Sequence, residues 1–278
     1  MVLIILGLGT SIDYLSLEAL DHLSRADIVF LETYTSIAPG IGYDRMKKIV
    51  LGELRYVSRR ELEEEAGRII LGEAEQKYVV LAVAGDPMIA TTHVNLVIEA
   101  AKRKIDYKII SGLSGIQASI SLSGLQVYKF GRTVTLTYPQ QYYKPLSTIK
   151  AIRDNMERGL HTLVLLDIRF DEGRAMSIGE ASDILLELEE EYCMKNNCRV
   201  VLDETIGVGV ARAGTRDAMV QADLIGYLGD YNYPPPPHSL IVTGSLHPVE
   251  LEALVFHAKL PLEHIRRIPR YQRIIRYL

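Results

Sequence analysis

The run Val79-Val80-Leu81-Ala82-Val83-Ala84 breaks off at Gly85-Asp86-Pro87, and this junction constrains the fold more than any other stretch of the chain. Six consecutive apolar residues suit a strand covered on both faces, as in a parallel sheet between helical layers. Pro87 cannot donate to a sheet ladder and Gly85 accepts backbone angles closed to other residues, so the strand ends here in a shaped turn. Asp86 then stands at the carboxyl end of a parallel strand, the edge at which open α/β sheets bind ligands. From this segment alone Asp86 has two readings: a ligand residue, or a cap for the helix that begins near Thr92.

Strand-like runs recur at Val2–Leu6, Ile28–Leu31, Tyr78–Ala84, Tyr107–Ile110, Thr133–Thr137, Thr162–Ile168, Ile206–Ala211 and Leu240–Val242. Between them, Leu15–Leu23, Leu62–Ala74, Val94–Ala101, Ile149–Met156, Ala181–Leu188 and Val249–Val255 carry apolar residues three and four apart, the spacing of an amphipathic helix. Strands alternating with helices predict an α/β protein with largely parallel sheet. The small, flexible stretch Ser111-Gly112-Leu113-Ser114-Gly115 marks a domain boundary near Leu113, giving an N-terminal α/β domain, 1–113, and a C-terminal α/β domain, 114–278, that includes a basic extension. Parallel order should dominate the first, while the shorter connections after Gln126 allow antiparallel pairing in the second. The loop Tyr231–His238 contains four consecutive prolines and is stiff, either holding His238 in place or serving as a rigid connector.

Charge narrows the function classes. The net charge of -4 argues against a general nucleic-acid binder, so no direct nucleic-acid partner is expected. The charge is uneven: from Lys259 onward six basic residues face one acid, Glu263, which makes this tail +5 and the other 258 residues -9. A solvated or subunit-packed segment is the expectation for the tail. No apolar run approaches the roughly 20 residues that span a bilayer, and Met1–Leu6 lacks a basic leader, so a cytoplasmic protein with no membrane partner is expected. Cys193 and Cys198 are too few for a structural zinc site; two free thiols are the default and a single bridge between them is the alternative, and no metal site is expected.

Several catalytic patterns fail on inspection. Gly7-Leu8-Gly9-Thr10-Ser11-Ile12, with Glu32 at the end of the second strand, begins like a dinucleotide fingerprint, but Ile12 occupies the third glycine position. What remains is a glycine turn suited to close backbone approach by some ligand. Gly112-Leu113-Ser114-Gly115-Ile116 lacks the final glycine of a nucleophile elbow. His93 can titrate near neutral pH, or it can simply be a structural residue at a helix start.

The ordered set Gly7-Leu8-Gly9, Leu15–Leu20, Glu32-Thr33-Tyr34-Thr35-Ser36, Gly85-Asp86-Pro87 and Ala90-Thr91-Thr92-His93 resembles the tetrapyrrole methylase superfamily, and within it the diphthine synthase family. Further matches are Val127–Gly131, Glu157–Thr162 running into Leu166-Asp167-Ile168, Ala211–Gly214, and Pro236-Pro237-His238.

The resemblance implies two α/β domains with S-adenosyl-L-methionine in the cleft between them, and a homodimer. It implies trimethylation of the amino group of the 3-amino-3-carboxypropyl-histidine of translation elongation factor 2, giving diphthine and S-adenosyl-L-homocysteine. Matched by motif, the cofactor positions are Thr10, Asp86, Ile89, Gly115, Ile116, Leu166, Ala213 and His238. Gly115 falls where relatives can have a serine, so only a backbone contact is expected there. No catalytic residue is assigned; Tyr34, Thr35 and His93 are candidates for orienting the substrate. Two alternatives remain: C-methylation of a uroporphyrinogen or precorrin, whose many carboxylates call for a basic cleft that this acidic chain does not suggest, and a non-catalytic elongation-factor-binding protein.

Overall fold

The computed structural model describes residues 2–32, 38–58, 60–64, 67–169 and 172–276. The chain divides into two compact units, Met1–Ala118 with Gly214–Arg216, and Ser119–Ala213 with Asp217–Leu278.

The first unit is built on strands β1 (Val2–Gly7), β2 (Ile28–Glu32), β3 (Glu53–Val57), β4 (Tyr78–Val83) and β5 (Asp106–Ile110), in the order β3-β2-β4-β1-β5. Every pairing is parallel. Helices α1 (Leu17–Arg25), α2 (Tyr43–Met46), α3 (Arg68–Ala74) and α4 (Val94–Lys102) connect them. Successive residues of a strand face opposite sides, so a central strand must be apolar throughout. Leu3, Ile5, Val79 and Leu81 pack with Ile70, Leu71 and Leu96 on one face. Ile4, Leu6, Val80 and Ala82 pack with Ala19 and Leu23 on the other.

Helix α5 (Gly115–Ser123) follows β5. It replaces part of the flexible boundary expected there, and its start is fixed by a reciprocal cap. Ser114 Oγ accepts from Gln117 N, and Gln117 Oε1 accepts from Ser114 N and Oγ.

The second unit contains β6 (Val134–Leu136), β7 (Thr162–Leu166), a two-stranded ribbon of β8 (Ile168–Arg169) and β9 (Arg174–Ala175), then β10 (Ile206–Ala211), β11 (Met219–Leu224) and β12 (His238–Val242). Its main sheet has the order β11-β10-β12-β7-β6. Only β6 and β7 run parallel; the other pairs are antiparallel, as the short connections predict. Helices α6 (Leu146–Glu157) and α7 (Ile178–Asn196) cover one face through Ile149, Ile152, Ile178 and Leu185, packed on Val164, Leu240 and Val242. Helices α8 (Pro248–Phe256), α9 (Leu262–Ile265) and α10 (Pro269–Ile275) complete the unit.

The structure corrects several expectations. The helix expected over Leu62–Ala74 is split, because Gly67 adopts a left-handed conformation at φ +62 between a π-turn over Arg60–Glu64 and α3. The strand expected over Thr162–Ile168 stops at Leu166, after which the chain turns into the ribbon. Cys193 and Cys198 form a disulfide rather than two thiols: α7 ends in left-handed Asn197, and the turn brings their Cα atoms to 4.5 Å. The basic tail is packed rather than wholly solvated, with Ile265, Ile268 and Tyr271 buried and the Tyr271 hydroxyl accepting from Ile206 N. Among the described residues no helix is long and apolar enough to cross a membrane, and no group of three or more metal-ligating side chains forms.

Candidate functional site

The carboxyl edge of the first sheet is assembled backbone against backbone. Leu8 N donates to Val83 O at 2.8 Å, Gly9 N to Gly85 O at 3.1 Å, and Gly85 N to Gly9 O at 2.9 Å. The turns after β1 and β4 are thereby paired as an isolated antiparallel bridge. The turn after β5 closes onto both. A Cβ on Gly7 would lie 2.3 Å from Gly85 O, and one on Gly112 would lie 2.2 Å from the same atom. No side chain fits at either position, because the obstacle is main chain.

Asp86 fastens this edge. Its Oδ1 accepts from Met88 N at 2.9 Å and its Oδ2 from Gly112 N at 3.1 Å, while the residue is only 6% exposed. The carboxylate therefore pins the turn after β4 to itself and to the turn after β5. It does not cap the following helix, whose N-cap is His93. Each carboxylate oxygen retains a second lone pair, so a cationic ligand group could still be accepted.

The other matched positions of this unit surround the same turns. Thr10 Oγ1 donates to Gly214 O at 3.1 Å, and the adjoining segment is held by Arg216, whose Nε and Nη2 meet Asp13 at 3.0 and 3.2 Å. Ile89 and Ile116 are half-buried, so each offers apolar surface. A Cβ built on Gly115 meets nothing within 4 Å, so the start of α5 opens onto free space. His93 is 2% exposed, its Nδ1 donates to Pro87 O at 2.9 Å, and among the described residues its Nε2 has no partner. With Nδ1 as the donor, Nε2 is the ring nitrogen left over for a further contact. Tyr34 and Thr35 lie outside the described residues.

In the second unit Leu166 is the last residue of β7, paired with Leu136 of β6. His238 opens β12 opposite Ala211, the last residue of β10, and Ala213 follows two residues later. Because Ser239 pairs with Leu165, His238 stands beside Leu166. Antiparallel order thus brings the three matched positions to one edge. His238 Nε2 donates to Pro234 O at 2.7 Å, leaving Nδ1 buried without a partner among the described residues. Burial lowers the His238 pKa below its usual value; the Pro234 carbonyl acts the other way, and the charge of Arg212 lowers it further. The ring is neutral at pH 7 and presents an acceptor. Thr137 Oγ1, just past β6, is likewise buried without a partner among the described residues.

Taken unit by unit, the first offers apolar surface at Ile89 and Ile116 with open space at Gly115, and the second offers apolar Leu166 and, among the described residues, an unpartnered acceptor on His238. Sequence reasoning passed over Gly112 and Thr137. Gly112 becomes meaningful only once β5 is known to lie next to β1, and Thr137 only once its hydroxyl is seen to be buried.

The model of the tetrapyrrole (corrin/porphyrin) methylases matches residues 2–224. Diphthine synthase from Staphylothermus marinus is 45% identical over 268 residues, covering 96% of this chain and 97% of the relative. Diphthine synthase from Methanococcus maripaludis is 36% identical over 256 residues, 92% of this chain and 98% of the relative. A crystal structure of diphthine synthase superposes with a TM-score of 0.83 at 30% identity, covering 96% of this chain and all of that one. The chain belongs to the tetrapyrrole methylase family, in its diphthine synthase branch, and is an S-adenosylmethionine-dependent methyltransferase.

Proposed function

We propose that this enzyme trimethylates the amino group of the 3-amino-3-carboxypropyl-histidine of elongation factor 2, forming diphthine, and that it acts as a homodimer. The observation that carries the reading is the Gly-Asp-Pro turn, pinned by Asp86 to Gly112 at the carboxyl edge of an all-parallel sheet, in a chain 45% identical to a diphthine synthase. We take Thr10, Asp86, Ile89, Gly115, Ile116, Leu166, Ala213 and His238 as the residues that hold the cofactor.

The bound cofactor supplies an activated methyl group on a sulfonium. The chain's part is to align the amine and to exclude water, since an in-line methyl displacement gains rate chiefly from orientation. Backbone closure at Gly7, Gly85 and Gly112 fixes the turns that carry Asp86 and Ile89. Ile89, Ile116 and Leu166 supply apolar wall. His93 and bulk water are the candidate acceptors for the proton that the amine releases.

The test is a mass spectrum of elongation factor 2 carrying the unmethylated side chain, after incubation with the enzyme and S-adenosylmethionine. Three added methyl groups on that histidine are expected. None, with cofactor binding shown separately by calorimetry, would move the methyl acceptor elsewhere, first to a uroporphyrinogen, whose methylation is read from its absorbance.

A further inference from the structure

We propose that the turn Gln140–Tyr143 is the surface on which the protein substrate docks, the occupant being the segment of elongation factor 2 that carries the modified histidine. This rests on the function proposed above.

The turn rises from the edge that carries Leu166, Ala213 and His238. Leu136, the last residue of β6, pairs with Leu166; Asp167 N donates to Leu136 O at 3.1 Å, and Tyr138 N donates to Asp167 Oδ2 at 3.1 Å. The chain therefore leaves the sheet directly beside a matched cofactor position.

Its base is rigid. Two guanidinium groups lie over the Tyr138 ring, Arg174 at 3.8 Å and Arg169 at 5.0 Å from the ring centre, and its hydroxyl reaches Glu180. The turn itself is closed by two backbone bonds, Gln140 N to Tyr143 O at 2.8 Å and Tyr143 N to Gln140 O at 3.1 Å. Lys144 ties the far end to Glu191 on α7.

On this fixed support two aromatic side chains are left bare. Tyr142 is 92% exposed and Tyr143 51% exposed, and among the described residues neither ring nor hydroxyl has a partner. Exposed tyrosines on a rigid turn make efficient contacts, because they cover a large area and lose little side-chain entropy on binding. A second bare tyrosine, Tyr128, also 92% exposed, precedes β6 and so belongs to the opposite edge of the sheet. Of these two places, the turn is the one beside Leu166 and His238, where the function proposed above requires the protein substrate to come.

The test compares the wild type with Tyr142→Ala/Tyr143→Ala, and uses Tyr128→Ala as the control. The readouts are KM and kcat for elongation factor 2 carrying the unmethylated side chain, direct binding of that protein by calorimetry, and the Kd for S-adenosylmethionine. The double variant should raise KM and weaken direct binding by about tenfold or more, with kcat at saturation and the cofactor Kd unchanged, and with Tyr128→Ala at wild-type values. A wild-type KM and affinity in the double variant would overturn the docking surface while leaving the function intact. A wild type that neither binds nor methylates elongation factor 2 would overturn both.

Discussion

The two sheets handle the same problem in opposite ways. In the first unit the edge at the carboxyl ends of the strands is the locked one: three glycine-bearing turns touch main chain to main chain, and the buried carboxylate of Asp86 accepts two backbone N–H groups across them. In the second unit the locked edge is the far one. There the buried carboxylate of Glu250 accepts from Gln126 N and His161 Nε2 at 3.0 Å, from His247 N at 2.8 Å, and from Lys129. Gly244 N donates to His161 Nδ1, which fixes the imidazole as the neutral Nε2–H form. The edge bearing Leu166 and His238 instead keeps polar atoms without partners on Thr137 and His238, and bare tyrosines beyond them. A buried carboxylate among backbone donors marks where each unit is fixed, and unspent polar groups mark where it is prepared to meet something else.

The comparison breaks first at Gly112. Gly112→Ala places a Cβ against main chain that cannot yield, and should destabilise the protein by about 3 kcal/mol, a fall in Tm on the order of 10 °C. An unchanged Tm by calorimetry would show that the first edge is not locked.

Glu250 gives the next largest effect. Burial raises its pKa, but the bonds from His161, His247 N–H, Lys129 and Gln126 N–H outweigh that and bring it from 4.5 to about 2. A depressed carboxylate pKa adds stability above the unfolded value, and that stability is lost as the pH falls from 4.5 toward 2. The loss down to pH 2.5 should be about 2 to 3 kcal/mol, since the window stops short of the folded pKa. Urea unfolding between pH 6 and pH 2.5 should show it in the wild type and should show a flatter profile in Glu250→Gln. Equal slopes would remove Glu250 as the lock of the far edge.

The smallest effect is expected at Gly115, where an added Cβ meets open space. Gly115→Ala should shift stability by no more than about 0.5 kcal/mol. A loss as large as that of Gly112→Ala would mean that the start of α5 is as closed as the turns beside it.

Much of this was legible in the chain. The continuous apolar runs of β1 and β4 announced a sheet covered on both faces, and Gly85-Asp86-Pro87 announced the shaped turn at its end. Strand β3 was not legible, because Glu53-Leu54-Arg55-Tyr56-Val57 is an edge strand with charged, exposed positions and no clear apolar period; it is a strand because β2 lies beside it. Helix α5 carried a readable Ser114/Gln117 cap that its glycine-rich approach obscured. The disulfide and the packing of the tail depended on a helix end and on Tyr271 reaching Ile206, neither of which has a local signature.

The sequence by itself determined the α/β class, the parallel order of the first half and the position of Asp86 at a strand end, because periodicity, chain-breaking residues and apolar run length are local properties. Only the tertiary structure decided what Asp86 holds, why Gly7 and Gly112 must be glycine, and that Leu166, Ala213 and His238 share an edge with the exposed turn Gln140–Tyr143. Those facts depend on which strands are neighbours, and in a sheet ordered β3-β2-β4-β1-β5 neighbours are set by packing between segments far apart in the chain.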